Sequence, residues 1–300
     1  MKKLLLKPKE VLDCITELLI VNPVFTGFDL TVNVIANEYA GSFTQKKKSA
    51  YQRTKLMDAV QRAHEKKSVV KSVKKNLLMT EYSGHAEIIA RRVVEHIAAL
   101  KKRKPTDLFV VATAGGDGTS VQVQTGLIKI AQESEEYKKI VMDELVVIRL
   151  PMGTGCDGTD GHTIEEAIEI LENPVHFANA RAVKIWYEGT PKKENYLAIK
   201  KNPSDYGNIS ITPPWYAFNM AGMGLDGFVC HASNVMKSKL PGDSYSLWVN
   251  LAALLYDRAF PSGFLHAKVY DENDNLINEI AQQFEMLVLG SSGNRIFVCG

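Results

Sequence analysis

Three glycines in four positions stand out within residues 110–119, which read V-V-A-T-A-G-G-D-G-T. They follow an apolar run typical of a buried strand and precede a helical pattern. Glycine lets the backbone approach a ligand closely, and the start of a helix directs N–H groups at phosphate oxygens. The loop formed by Gly115, Gly116, Asp117, Gly118 and Thr119 is therefore a candidate phosphate site.

Asp117 is the informative residue of this loop, because a carboxylate repels phosphates unless it has another task. It could order Mg²⁺ near the phosphates, hold the loop in shape, or accept a proton from an attacking hydroxyl group. The alternative is a tight turn in which Asp117 caps the helix that begins at Gly118 and Thr119.

A second glycine loop, P-M-G-T-G-C-D at residues 151–157, also follows a strand and precedes a helix. Gly153 would allow close approach, the Thr154 hydroxyl could bind phosphate, and Asp157 could cap local backbone groups. The alternative is a glycine-rich connection without a chemical role. Two such loops on one sheet edge favour a nucleotide.

The elements that must position these loops alternate between strand and helix. Strands are predicted at 31–36, 77–80, 108–112 and 145–148, with helices at 46–66, 86–100, 119–132 and from Thr163, where Glu166 completes a capping box. This alternation predicts an α/β domain with a parallel, doubly wound sheet, whose ligands bind at the carboxyl ends of the strands.

The chain divides into three predicted regions. Residues 1–30 form an extension with a helix at 9–20, residues 31–174 form the α/β domain, and residues 175–300 form a β domain. Short β-prone runs characterise the last region, at 181–188, 196–200, 216–220, 265–270 and 284–289, with a helical insertion at 245–258. The turn at 271–275 resembles a calcium loop, but Leu276 replaces the required glycine, so a hairpin is expected.

Composition and charge limit the classes of protein. No run reaches the roughly 20 apolar residues of a spanning helix, and no secretory leader is evident, so we expect a cytoplasmic protein. The four cysteines form no C-x-x-C pair, which argues against a structural zinc site.

The charge is unevenly distributed along the chain. Residues 1–104 carry 21 Lys/Arg and 10 Asp/Glu, a net charge of +11 against −9 for the remainder. This asymmetry indicates either a surface for anionic lipid or nucleic acid, or simply solvated helix faces. The solvated faces are the simpler interpretation, and a nucleic-acid partner is not expected. The sequence leaves open whether the protein forms a homo-oligomer.

Four ordered loops resemble the diacylglycerol kinase catalytic domain family, which includes sphingosine and ceramide kinases. The matching segments are N-E-Y-A-G at 37–41, T-E-Y-S-G-H-A at 80–86, G-G-D-G-T at 115–119 and P-M-G-T-G-C-D at 151–157. A weaker fifth match is F-N-M-A-G-M-G-L-D-G at 218–227. The resemblance implies an α/β domain like that of NAD kinases and phosphofructokinases, then a β-sandwich, with ATP in the cleft between them.

The resemblance also implies roles for individual residues. Asn37, Gly41, Thr80, Gly115 to Thr119, Gly153 and Thr154 would bind ATP, and Asp117 would be the catalytic and Mg²⁺-binding residue. Asp226 would face the lipid head group, or else form an Asp-Gly turn. A lipid hydroxyl on a membrane surface would be the substrate, making the protein peripheral to the membrane.

Several positions depart from the family pattern. Glu38 replaces a proline, which costs a rigid turn but no ligand. Gln122 stands in place of a glutamate and Cys156 replaces an asparagine, so binding of ATP or metal would be altered. The family's late acidic motifs have no counterpart before Gly300, which indicates an incomplete β-sandwich or a chain lacking part of the catalytic apparatus.

Two other functions stay open. An NAD kinase shares the G-G-D-G loop, although P-M-G-T does not match the expected N-x-G-x-L-G-F. A nucleotide-binding or lipid-binding regulatory protein without turnover is the third hypothesis. Among the histidines, only His162 is placed to contact phosphate.

Overall fold

The structure is a computed structural model, which describes residues 5–100, 103–156, 158–173, 182–186, 214–225, 227, 263–284 and 286–290. The chain divides into two compact units. One unit spans Met1–Ala180 and Lys184–Phe218, and the other spans Arg181–Val183 and Asn219–Gly300.

A four-stranded parallel sheet forms the centre of the first unit. Its strands are β1 (Asp29–Ala36), β2 (Ser72–Met79), β3 (Asp107–Gly115) and β4 (Leu145–Pro151), arranged in the order β2-β1-β3-β4. The predicted parallel α/β arrangement is confirmed. β1 and β3 lie inside the sheet and are almost wholly buried, which explains their continuous apolar runs.

Helices cover both faces of this sheet. The helices are α1 (Pro8–Ile20), α2 (Gly41–Thr44), α3 (Lys46–His64), α4 (His85–Ala98), α5 (Asp117–Ala131), α6 (Glu135–Lys139) and α7 (Ile164–Glu172). A 3₁₀ turn at Pro23–Phe25 and a π turn at Ile140–Glu144 complete the connections. α1, α3 and α7 share a core with one face of the sheet, and α4 and α5 share a second core with the other face.

The first helix packs into the core of the α/β unit. Val11, Ile15, Leu18 and Leu19 of α1 are at most 1% exposed, and they join the cluster that contains α3. Residues 1–30, predicted as an extension, thus contribute a helix to this core. At the start of α7, the Thr163 hydroxyl accepts a hydrogen bond from Glu166 N–H, while the Glu166 carboxylate accepts one from His162 N–H.

The remaining described residues form three two-stranded sheets. The strands are β5 (Val183–Ile185) with β6 (Trp215–Ala217), β7 (Met220–Gly224) with β10 (Met286–Gly290), and β8 (Gly263–Tyr270) with β9 (Leu276–Phe284). Asp271 accepts hydrogen bonds from the N–H groups of Asn273 and Asn275, which confirms the predicted hairpin turn. The predicted strand at 196–200 and the helix at 245–258 lie outside the described residues.

Among the described residues, no helix combines the length and the apolar character that crossing a membrane requires.

Candidate functional site

The four loops singled out in the sequence meet at the carboxyl edge of the parallel sheet. Backbone hydrogen bonds connect neighbouring loops: Asn37 N–H donates to Ala114 C=O at 3.0 Å and Thr80 N–H to Ala36 C=O at 2.9 Å. Ser42 N–H donates to Met152 C=O at 3.0 Å. Parallel strands place their carboxyl ends together, so this convergence follows from the sheet itself.

The loop after β3 is shaped by a close contact between a glycine and a threonine. A Cβ atom on Gly115 would lie 2.5 Å from Thr119 Oγ1, so no other residue fits at Gly115 without moving Thr119. The helix α5 begins at Asp117 and runs for 15 residues. Its first N–H groups have no partner within the helix and therefore point towards the loop region, as in anion sites.

The loop after β4 lies directly against the loop after β3. A Cβ atom on Gly153 would lie 2.5 Å from Gly116 Cα, so the two backbones touch at a pair of glycines. On the opposite side, a Cβ atom on Gly41 would lie 3.4 Å from Thr154 Oγ1. Residues 41, 116 and 153–154 thus form one continuous surface, which we call the glycine cradle.

Asp117 connects the two glycine loops through its side chain. It is half-buried, and its Oδ1 accepts a hydrogen bond of 2.9 Å from Gly158 N–H. No side-chain hydrogen bond caps α5 at Gly116. This contact corresponds to one of the tasks considered for Asp117, which is to hold the loop in shape. The alternative, a helix cap formed by the Asp117 side chain, is not observed.

Metal binding at the cradle depends on the ligands that side chains there supply. Among the described residues, no group of three or more His, Cys, Asp or Glu side chains could hold a metal ion. Mg²⁺ in nucleotide sites is commonly held by one or two carboxylates together with substrate phosphates. A half-buried Asp117 beside the cradle fits that arrangement.

An ion pair that the sequence did not reveal closes the loop after β4. Arg149 Nε and Nη2 both contact Asp160 Oδ1, at 3.0 and 2.5 Å, and Arg149 N–H donates to Asp160 Oδ2 at 2.8 Å. Asp160 N–H in turn donates to Arg149 C=O at 2.8 Å. Arg149 is a charged residue within the otherwise apolar strand β4, and in the sequence this was the one indication of an acidic partner.

Inside the closed loop, Cys156 adopts a left-handed backbone conformation with φ 60°. The Thr159 hydroxyl donates to Cys156 C=O at 2.8 Å. A non-glycine residue rarely adopts this conformation, so the ion pair and the threonine hold the loop in a strained shape. Asparagine would tolerate such a conformation more readily than cysteine.

Helices α2 and α3 add three polar side chains beneath the cradle, which no sequence motif indicated. The Lys48 ammonium group donates to Gly153 C=O, and Gln52 Nε2 donates to Pro151 C=O at 3.1 Å. The Ser42 hydroxyl and Gln52 Oε1 are buried and have no hydrogen-bond partner among the described residues. Buried polar groups without partners are rare in proteins and often mark water or ligand positions.

The loop after β2 is anchored by Gln122. Gly84, with φ 88°, donates its N–H to Gln122 Oε1 at 3.1 Å, and this bond joins the loop to α5. The His85 ring stacks on Tyr82 and accepts a hydrogen bond from Glu81 N–H. Gln122 therefore has a structural role that needs only an acceptor oxygen, which a glutamate would also supply.

The remaining predicted residues differ in exposure and position. Asn37 is half-buried, and its Oδ1 accepts a hydrogen bond from Tyr39 N–H at 3.0 Å. Thr80 is half-buried, Thr119 is buried, and Gly118 and Thr154 are exposed. His162 is exposed beside the second loop. Asp157 and Asp226 lie outside the described residues, so the predicted lipid contact has no described geometry.

A comparison with protein-family models matched no family, and a comparison with curated proteins found no similar sequence.

Proposed function

We propose that this chain is a lipid kinase of the diacylglycerol kinase type, which transfers the γ-phosphoryl group of ATP to a lipid hydroxyl. The observation that supports this most strongly is the contact between Gly116 and Gly153, beside the start of α5. This contact lies at the carboxyl edge of a parallel sheet, where α/β domains bind nucleotides.

The cradle residues would bind the phosphates of ATP. The first N–H groups of α5 donate to phosphate oxygens, and the exposed Thr154 hydroxyl adds a further donor. The Lys48 ammonium group, already in contact with Gly153, lies close enough to the loop to neutralise phosphate charge. Asn37, Gly41 and Thr80 border the same edge and would shape the rest of the site.

Asp117 would hold Mg²⁺ together with the phosphates. The metal ion, when bound, neutralises the charge that develops on the transferring phosphoryl group. The hydrogen bond from Gly158 fixes the Asp117 carboxylate, so its position is set before the nucleotide arrives.

The lipid would be bound by the predicted β domain. In this proposal residues 175–300 belong to a β-sandwich domain, and Asp226 would contact the head group of diacylglycerol, ceramide or a sphingoid base. The acceptor hydroxyl belongs to a membrane lipid, so the protein would act at the membrane surface as a cytoplasmic, peripheral enzyme. The fold would then match that of NAD kinases and phosphofructokinases in its first domain.

A transfer assay with the full chain tests this proposal. Labelled ATP is offered with diacylglycerol, ceramide, a sphingoid base and, separately, NAD. We expect label in one of the lipids. Label in NAD alone would replace the proposal with an NAD kinase.

Substitution of Asp117 sharpens the test. Asp117→Asn keeps an oxygen that accepts from Gly158 N–H, so folding should be preserved while the charge is lost. We expect transfer to fall by about 10²-fold or more. The matched control is Asp143→Asn, which removes one carboxylate from an exposed position before β4. Equal activity of Asp117→Asn and the control would contradict the assigned role.

A binding protein without turnover is the second candidate. It is favoured by the engagement of Asp117 with Gly158. It is also favoured because the described residues contain no group of three or more His, Cys, Asp or Glu side chains that could hold a metal ion. Calorimetry that detects Mg·ATP binding to the full chain, combined with no labelled product from any acceptor, would support this candidate over the kinase.

A further inference from the structure

A groove with a volume of about 620 Å³ lies between the edge strand β2 and helix α4. It is separate from the glycine cradle, because it follows the middle of β2 and the later turns of α4. Volumes of 300–1,000 Å³ are typical of sites for small molecules. A ligand could bind in this groove whether or not the chain catalyses the proposed phosphoryl transfer.

The floor of the groove combines apolar side chains with three polar ones, Thr31, Asn33 and Asn76. Asn76 Nδ2 donates to Asn33 Oδ1 at 2.9 Å. Phe109 from β3 and Ile89, Val93 and Ile97 from α4 border the groove, spaced so that one side of the helix faces the sheet. Leu78 of β2 lies at the end nearer the carboxyl edge. α4 packs mainly against α5 and leaves β2 uncovered on this face, since residues 72–76 of β2 are exposed.

The rim of the groove is basic. Lys74, Arg92 and His96 border it and are exposed, and none of the described residues that line it is acidic. Arg92 and His96 stand four residues apart, on the same side of α4. The rim therefore has a positive potential that nothing in the described lining offsets.

The neighbouring cations give a comparison. Arg91 of α4 pairs with Glu133 at 2.8 Å. Lys75, which also borders the groove, pairs with Asp13 at 2.8 Å. No ion pair to Lys74 or Arg92 occurs among the described residues. Arg91 and Lys75 are thus paired, whereas Lys74 and Arg92 are left available for an external anion.

We infer that this groove binds an anionic amphiphile, a molecule with an alkyl chain and a carboxylate or phosphate head. The chain lies on the apolar part of the floor, formed by Phe109, Val93 and Ile97, and the head lies between Lys74 and Arg92. Arginine suits this task because its planar guanidinium group matches the oxygens of a carboxylate or phosphate. The long stems of both cations also cover the alkyl chain.

A second copy of this chain is a poorer occupant of the same surface. Pairing of β2 with β2 of another molecule would bring Lys71, Lys74 and Lys75 near their counterparts. Like charges across paired strands are destabilising, and lysines on edge strands prevent such pairing in many proteins.

The test is calorimetric titration of the full chain with dodecanoate and dodecyl phosphate, each below its micelle concentration. We expect one molecule bound per chain, and affinity that rises about fourfold for each methylene added between eight and twelve carbons. Dodecyltrimethylammonium has the same chain with a cationic head and should bind at least about tenfold more weakly.

Charge variants locate the site. Arg92→Glu and Lys74→Glu should each weaken dodecanoate binding by about tenfold or more, whereas the exposed Lys67→Glu makes the same change of charge away from the groove and should have little effect. Far-ultraviolet circular dichroism checks that each variant is folded. Absence of binding, equal binding of the cationic amphiphile, or equal loss with Lys67→Glu would overturn the inference.

Discussion

The loops after β3 and β4 touch each other, yet they obtain their shapes in different ways. The loop after β3 depends on a small residue at Gly115, because a Cβ atom there would lie 2.5 Å from Thr119 Oγ1. The loop after β4 is held by side chains, through the Arg149–Asp160 pair and the Thr159 hydroxyl. The glycine cradle therefore combines a loop shaped by the absence of a side chain with a loop shaped by contacts between side chains.

The first prediction breaks the glycine contact and has the largest effect. In Gly153→Ala the new methyl group would lie 2.5 Å from Gly116 Cα, so the two loops must separate. We expect a loss of about 1–3 kcal/mol in the free energy of unfolding, measured by urea denaturation, and loss of nucleotide binding.

Gly118→Ala is the matched control for the same substitution. A Cβ atom on Gly118 meets nothing within 4 Å, and the residue lies in the first turn of α5. The free energy of unfolding should stay equal or rise by up to about 1 kcal/mol, because alanine favours helix more than glycine does. Equal destabilisation of the two variants would show that the loops do not touch as described.

The second prediction breaks the ion pair. Asp160→Asn removes the charge facing Arg149 but retains an acceptor oxygen, and both side chains are about one quarter exposed, at 28% and 24%. We expect a loss of about 1–2 kcal/mol, between the values for surface and buried pairs. Salt should reduce this loss, since it screens a partly exposed pair.

Urea titrations at low and high salt measure the effect. Asp13→Asn removes the charge that pairs with Lys75, in a pair whose side chains are 45% and 38% exposed, and serves as the control for an ordinary surface ion pair. A loss for Asp160→Asn no larger than that of the control would refute the role of Asp160 in closing the loop.

The third prediction concerns the polar groups beneath the cradle. The Ser42 hydroxyl is buried without a partner among the described residues, so Ser42→Ala should leave stability unchanged or raise it by about 1 kcal/mol. If the hydroxyl serves the nucleotide, directly or through water, the thermal stabilisation produced by Mg·ATP should fall. Thermal denaturation with and without Mg·ATP separates the stability of the variant itself from its stabilisation by the nucleotide. A Ser42→Ala variant that is less stable than the original chain in the absence of Mg·ATP would contradict this prediction.

The fourth prediction uses two buried cysteines to compare the loop with the core. Burial raises the pKa of the Cys14 thiol in α1 to about 11, so little thiolate exists there at pH 8. Cys156 is 3% exposed, but it lies in a loop, and its labelling requires only that the loop opens. We expect Cys156 to be alkylated faster than Cys14 and to be protected by Mg·ATP.

Peptide mass spectrometry resolves these two sites from Cys230 and Cys299. Asp160→Asn should accelerate alkylation of Cys156 and leave Cys14 unchanged. Equal rates at both sites, or protection of Cys14 by nucleotide, would show that the loop does not open independently.

The sequence predicted the sheet and the loop positions because both depend on local patterns. The apolar runs of β1 and β3 mark strands buried on both faces, and the glycines after β3 mark a close backbone approach. Parallel strands then bring all four loops to one edge without any further information.

Contacts between distant residues could not be predicted in the same way. Lys48 and Gln52 belong to α3, and their contacts with residues 151–153 depend on how that helix crosses the sheet. The polar pattern of residues 46–66 indicated only a solvated helix. Gln122 similarly looked like a departure from a family motif, although in the structure its amide oxygen accepts a bond that a carboxylate would also accept.

The central claim is that the two glycine loops form a phosphate site for Mg·ATP. Amide chemical shifts of the full chain, recorded by NMR during titration with Mg·ATP, test it directly. The account predicts saturable shifts concentrated at Gly116, Gly118, Thr119 and Thr154, which disappear in Gly153→Ala. Saturable shifts confined to other parts of the chain, or no shifts at millimolar Mg·ATP, would contradict it.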